Sequence, residues 1–218
     1  FYSNCKYFSS ARDNIIFTHL NTHSVYSKMN GLLSLSDLID LCKTSFMNKM
    51  ALTDINGLWG FIRFVQTAHQ KKISPIAGSN IITTSDEAVI LVENQSGYEN
   101  LCRIISHVHR NSDQSINQII KDRCSGLFFL SHSENTLHSL KKIVPNSHLF
   151  IELRPGLQEK SIHDLSRKLK LEIIVTGDVY FKLKSDHSTH VTLRAIHYNT
   201  TKYDLKQGQY KTSKHWFR

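Results

Sequence analysis

Short apolar runs alternate with segments whose apolar residues recur every three or four positions. The runs Ile15–Leu20, Met50–Asp54, Ser74–Ile82, Val89–Glu93, Gly126–Ser131, Leu149–Leu153 and Glu172–Gly177 are rich in Ile, Val, Leu and Phe. They predict seven strands, most of them buried on both faces. Helix start signals fall between them. Ser34-x-x-Asp37 precedes Leu38, Ile39, Leu41 and Cys42, which share one helical face. Ser96-x-x-Glu99 and Ser161-x-x-Asp164 open similar patterns, and Trp59, Ile62, Phe64 and Val65 mark a helix after the second run. Seven β/α steps in succession predict a parallel α/β fold. A barrel fits better than an open sheet, because His23, Asp54, Asn80, His132 and Asp178 fall where different strands end. In barrels the working side chains gather at those ends. The expected architecture is a distorted TIM-like, seven-stranded (β/α)7 barrel.

Composition narrows the class. The 218 residues are 40% hydrophobic, enough for one full core. The barrel is expected over residues 1–198. A polar, basic tail follows over 199–218, and it reads as the lead into a longer protein. No apolar run approaches the ~20 residues that span a bilayer, and the first residues lack the pattern of a signal peptide. The four cysteines form no Cys-x-x-Cys, which points to a reducing, cytoplasmic setting without disulfides. A net charge of +9 suits a polyanionic partner such as nucleic acid, or simply well-solvated helix faces. Lysines are densest toward the tail, from Lys182 to Lys214.

Chemistry concentrates near the start. His19, Asn21 and His23 fall at every second position, so in an extended segment they share one face. Two imidazoles presented this way suit a metal ion, but an amide between them is a poor ligand.

The motif order resembles the PHP domain of bacterial DNA polymerase III alpha subunits. Phe17 to Ser24 is similar to the family's F-V-H-L-H-V-H-S, and Ala51-Leu52-Thr53-Asp54-Ile55-Asn56-Gly57-Leu58-Trp59-Gly60 to its A-L-T-D-H-G-N-L-F-G. Gly97-Tyr98-Glu99-Asn100-Leu101-Cys102-Arg103 matches G-Y-x-N-L-C-R. Phe150-Ile151-Glu152-Leu153 resembles Y-L-E-L, and Thr176-Gly177-Asp178-Val179-Tyr180-Phe181 resembles T-N-D-V-H-Y. Gly208 to Ser213 looks like the segment that leads into the polymerase proper. The resemblance implies the barrel fold and, in intact members, up to three zinc, manganese or iron ions held by His, Asp, Glu and Cys for phosphodiester hydrolysis.

This chain departs from the family at the ligands. Asn21, Asn30, Ile55, Asn80, Ser133 and Tyr180 stand where the resemblance expects His, Asp, His, Glu, Cys and His. Only His23, Asp54 and Asp178 remain of the set. No catalytic residue, no bound cofactor and at most a weakly held divalent zinc, manganese or iron are expected. Asp54 and Asp178 have a plainer reading as helix caps or partners of loop backbone. The resemblance implies a degenerate module of a DNA-directed DNA polymerase, a nucleotidyltransferase active in DNA replication. Its expected partners are the rest of the alpha chain, other replisome subunits, a proofreading exonuclease, and DNA through the parent protein, with no membrane. The alternatives are an active metal-dependent phosphoesterase or 3′–5′ exonuclease and, more weakly, a module that binds DNA by charge alone. Barrel-top positions are expected to be roomy, so Asn21→His with Ile55→His should leave folding intact.

Overall fold

The computed structural model describes residues 17–111 and 113–217. Six strands form one curled, half-barrel sheet: β1 (Lys49–Leu52), β2 (Ser74–Ile82), β3 (Glu87–Val92), β4 (Leu127–Ser131), β5 (Leu149–Leu153) and β6 (Ile173–Val175), neighbouring in chain order. Among the described residues seven α-helices accompany them: α1 (Leu35–Thr44), α2 (Phe61–Gln70), α3 (Gln95–Arg110), α4 (Ile116–Ile120), α5 (Glu134–Leu140), α6 (Glu159–Leu169) and α7 (His187–His197). Six of the seven predicted runs are therefore strands.

The sheet is mixed, not parallel. β2 and β3 are antiparallel, as are β3 and β4, while the other pairs are parallel. The cause is local. Thr83-Thr84-Ser85-Asp86 is too short for a crossover helix, and Thr83 N–H donates to Asp86 O (2.9 Å) to close a hairpin. In the expected first strand, Ile15 and Ile16 lie outside the described residues, and Phe17–Leu20 forms no named strand. Instead the segment 19–23 bonds to both sheet edges. Ala51 N–H donates to His19 O and Thr53 N–H to Thr22 O on the β1 side (both 2.9 Å). Val179 N–H donates to Asn21 O (3.0 Å) and His23 N–H to Val179 O (2.8 Å) just past β6.

Helix starts are partly as expected. Ser34 caps α1 by accepting from Asp37 N–H (3.1 Å). The α3 cap is Asn94 rather than Ser96, and α6 begins at Glu159, with Ser161 already inside it. On α2 the buried residues are Phe64 and Ala68, while Trp59 and Ile62 are exposed. Among the described residues Cys42, Cys102 and Cys124 are free thiols, and burial pushes Cys42 up to about 11.

Alternation along the strands positions the site. Outward residues such as Ile90, Phe129, Leu149 and Ile151 join the helices in the main core. Inward residues begin as an apolar floor that includes Leu91, Leu130 and Phe150. Two to four residues further on, the same face turns polar: Phe150 leads to Glu152 and Arg154, Ile174 to Thr176 and Asp178, and Leu91 back through Val89 to Glu87. The polar side chains thus meet at one end of the sheet.

Candidate functional site

The mouth of the half-barrel holds a buried ionic network centred on Asp178. This residue follows β6 with a left-handed backbone, φ +43°. Its carboxylate accepts from Lys211 Nζ at 2.9 Å and lies 3.1 Å from His215 Nδ1, 3.4 Å from His23 Nε2 and 3.7 Å from Arg154 Nη1. Asn21 Nδ2 reaches it at 3.3 Å and donates more closely to Glu152 Oε1 (2.8 Å). Thr176 also donates to that Glu152 oxygen (2.6 Å), and the Thr53 hydroxyl donates to Asn21 Oδ1 (3.0 Å).

Arg154 ties this centre to the β3 edge. Its guanidinium donates to Glu87 Oε1 at 2.7 Å and to His132 Nε2 at 2.9 Å. Asn80 donates to the same Glu87 oxygen (3.1 Å). Lys211 enters from the segment after α7 and lies 4.7 Å from the centroid of the buried Tyr180 ring, a cation–π contact. Tyr180 stacks on His23 with centroids 4.1 Å apart. The segment carrying Lys211 is fastened over the mouth. Tyr180 N–H donates to His215 O (2.9 Å), Phe217 N–H to Phe181 O (3.0 Å), Lys211 N–H to His190 Nε2 (3.0 Å) and Arg194 Nε to Gln209 O (2.7 Å).

Electrostatics follow from this packing. Burial opposes the charge of Asp178, but Lys211, the His215 and His23 contacts and Arg154 together hold its carboxyl well below the usual range. Burial opposes the charge of Glu87 too, and Arg154 and then Lys211 overcome it, holding that carboxyl down to about 2. Glu152 is fully buried, and desolvation raises it, so it is the carboxyl here that gives up its charge first. Arg154 and Lys211 thus face three carboxyls, of which Asp178 and Glu87 hold their charge hardest.

His132 and His190 are lowered to about 4, chiefly by burial, and each accepts a hydrogen bond that only a neutral ring can take. The unfolded chain therefore binds more protons than the folded one between about 6.5 and about 4. Stability is complete above that window and falls as pH drops through it, by roughly 2–3 kcal/mol per histidine at the acid end. Glu152 offsets part of the loss, because its raised carboxyl regains a proton in the fold first. The thermal unfolding midpoint should fall steadily from about pH 7 to about pH 4.5. A flat or rising midpoint would contradict the neutral assignment of the two rings.

Of the residues singled out by sequence, the structure brings His23, Asp178, His132 and Asn80 into one network. Asp54 joins it only indirectly, through Ser27, whose hydroxyl lies 3.4 Å from His23 Nδ1. It accepts from Ser24 N–H (2.7 Å), the Ser24 hydroxyl (2.7 Å) and the Ser27 hydroxyl (2.6 Å). Asn21 is fully buried and bonded on both amide atoms, so its position is not roomy, and Asn21→His has no space without breaking the Glu152 and Thr53 contacts. Sequence reading missed Arg154, Glu87 and Glu152 as site residues and placed Lys211 only in a basic tail. The available signal was charge at strand ends: Glu152 and Arg154 close the apolar β5 two residues apart, and Glu87 opens β3. Among the described residues no three His, Cys, Asp or Glu side chains converge in a metal-holding arrangement.

Two solved structures share the fold, each with a TM-score of 0.50. One is described as a metal-dependent phosphoesterase from Bifidobacterium adolescentis (9% identity, 74% of this chain and 86% of that one). The other is an amidohydrolase from Chromobacterium violaceum (10% identity, 75% and 87%). Curated relatives named DNA polymerase III subunit alpha include those of Pasteurella multocida (25% identity over 93% of this chain), Escherichia coli K12 (27% over 93%) and Buchnera aphidicola of Acyrthosiphon pisum (29% over 83%). The chain spans about a fifth of the length of these relatives, 18–20%. No helix among the described residues is long and apolar enough to cross a membrane. The model of the PHP domain matches residues 19–185, and with the fold and the ordered motifs this places the chain in the PHP domain family.

Proposed function

We propose that this chain is the PHP module of a DNA polymerase III alpha subunit, that its hydrolytic centre has decayed, and that it works as a brace and docking surface in DNA replication. The observation that carries the reading is the pair Arg154 and Lys211, two internal cations at the mouth where a metal-dependent relative would need positive charge from ions. The donor set does not fit a multinuclear cluster. Asn21 is committed to Glu152 and Thr53, Asp54 to two serines, and Ile55 offers no lone pair. A divalent ion about 4 Å from one of these side-chain cations would meet a repulsion of roughly 8 kcal/mol at the effective dielectric of a protein site. His23, Asp54 and Asp178 are what remains of a ligand set, and zinc, manganese or iron is not expected to bind there tightly.

In this reading residues 1–198 supply the barrel, with the 19–23 segment completing a seven-stranded, TIM-like fold, and residues 199–218 fasten across its mouth on the way toward the polymerase region. The nucleotidyl transfer, the contacts with other replisome subunits or a proofreading exonuclease, and the cytoplasmic location belong to the parent protein. The test is turnover. Purified protein with added manganese or zinc should hydrolyse neither an aryl phosphate nor a 3′-labelled single strand above background. Hydrolysis that is lost on His23→Ala would defeat the proposal.

A further inference from the structure

A second surface lies at the opposite end of the sheet. Helices α1 and α2 both run into the starts of neighbouring strands, where Lys49 of β1 pairs with Ser74 of β2. Ser74 N–H donates to Asn48 O (2.8 Å), so the two connections run side by side. Their rim displays Lys43, Lys49 and Lys72, all exposed and in no ion pair among the described residues, whereas Lys71 is taken up by Asp40. Among them stands Phe46, 88% exposed.

Phe46 is unusual twice over. Its ring is in water, and its backbone is left-handed at φ +56°, a conformation that L side chains disfavour. The loop is nevertheless fixed. Phe46 N–H donates to Lys43 O (3.1 Å), Met47 N–H to Cys42 O (3.0 Å), and Met47 is buried. The fold therefore holds an aromatic ring outward, on the same rim as three exposed lysines, with little packing inside the chain to offset it.

We propose that this rim binds single-stranded nucleic acid, with a base stacked on Phe46 and phosphates held by Lys43, Lys49 and Lys72. A net charge of +9 supplies long-range attraction, and base–aromatic stacking suits every sequence. An acidic peptide would satisfy the lysines but gives the ring no planar face.

The test is fluorescence anisotropy of the whole chain with a labelled oligothymidine of about 15 nucleotides at roughly 50 mM salt. Micromolar binding is expected. Phe46→Gly should weaken it about tenfold while the unfolding midpoint stays level or rises, since glycine suits this backbone. Lys49→Gln and Lys72→Gln should each cut the slope of log affinity against log salt by roughly 0.7. An abasic strand should bind the unaltered protein no better than the thymidine strand binds the Phe46→Gly variant. The proposal is overturned by binding weaker than about 100 μM, by an unchanged affinity in Phe46→Gly, or by an abasic strand that loses nothing. Equal competition by poly-glutamate would also overturn it and assign the rim to an acidic protein. None of these substitutions touches the mouth, so the outcome is independent of the role proposed there.

Discussion

Asp178→Ala removes roughly 3–5 kcal/mol of folding stability, the usual effect of breaking a buried charge set from one side. Asp178 is fully buried and answers Lys211, Arg154, His215 and His23 together. Without it Lys211 loses its closest carboxylate, and Arg154 keeps only Glu87 and the more easily protonated Glu152. Urea unfolding of the purified variant is the measurement. Asp178→Asn, which keeps the shape but not the charge, should lose less. Pairing Asp178→Asn with Lys211→Met should lose less than the sum of the two single changes, because each change removes the other's penalty. A loss below about 1 kcal/mol for Asp178→Ala would place the network among surface ion pairs, which contribute little.

Arg154→Met is the second large effect, again roughly 3 kcal/mol. Methionine retains most of the apolar stem, so the loss reports the guanidinium. Three partners are released at once: Glu87, Asp178 and the neutral His132 ring. The clearest sign is electrostatic. Glu87 is held down to about 2 by Arg154 ahead of Lys211. With Arg154 gone, burial prevails over the weaker pull of Lys211 and the carboxyl rises toward or above its ordinary value. Titration of the Glu87 side-chain carbon by NMR follows this directly. A Glu87 that still titrates near 2 would show that Arg154 is not its main partner.

Much of the fold was legible because burial writes itself into composition. β2 and β5 stand at the predicted bounds, since each is an apolar run closed by turn residues or charge. The parallel assignment failed for one strand, β3, which runs antiparallel to both its neighbours; the Thr83–Asp86 hairpin that reverses it is something apolar periodicity does not register. The helix marked by Trp59, Ile62, Phe64 and Val65 is α2, but Trp59 lies before its first turn and, like Ile62, is exposed: an apolar residue at a helix start looks the same in sequence whether it meets the core or solvent. In the site, the loss of electron-pair donors at Asn21, Ile55 and Tyr180 was visible from the residues. What replaced them was not. Arg154 and Lys211 lie 57 residues apart in the chain and reach Asp178 from different directions, and only the folding of the last segment over the mouth brings Lys211 there.

Two side-chain cations, Arg154 and Lys211, supply the positive charge at this mouth. Protein purified without chelator should therefore carry zinc, manganese and iron together at below about a tenth of an equivalent per chain by elemental analysis. One or more equivalents, retained through dialysis and lost on Asp178→Asn, would contradict it.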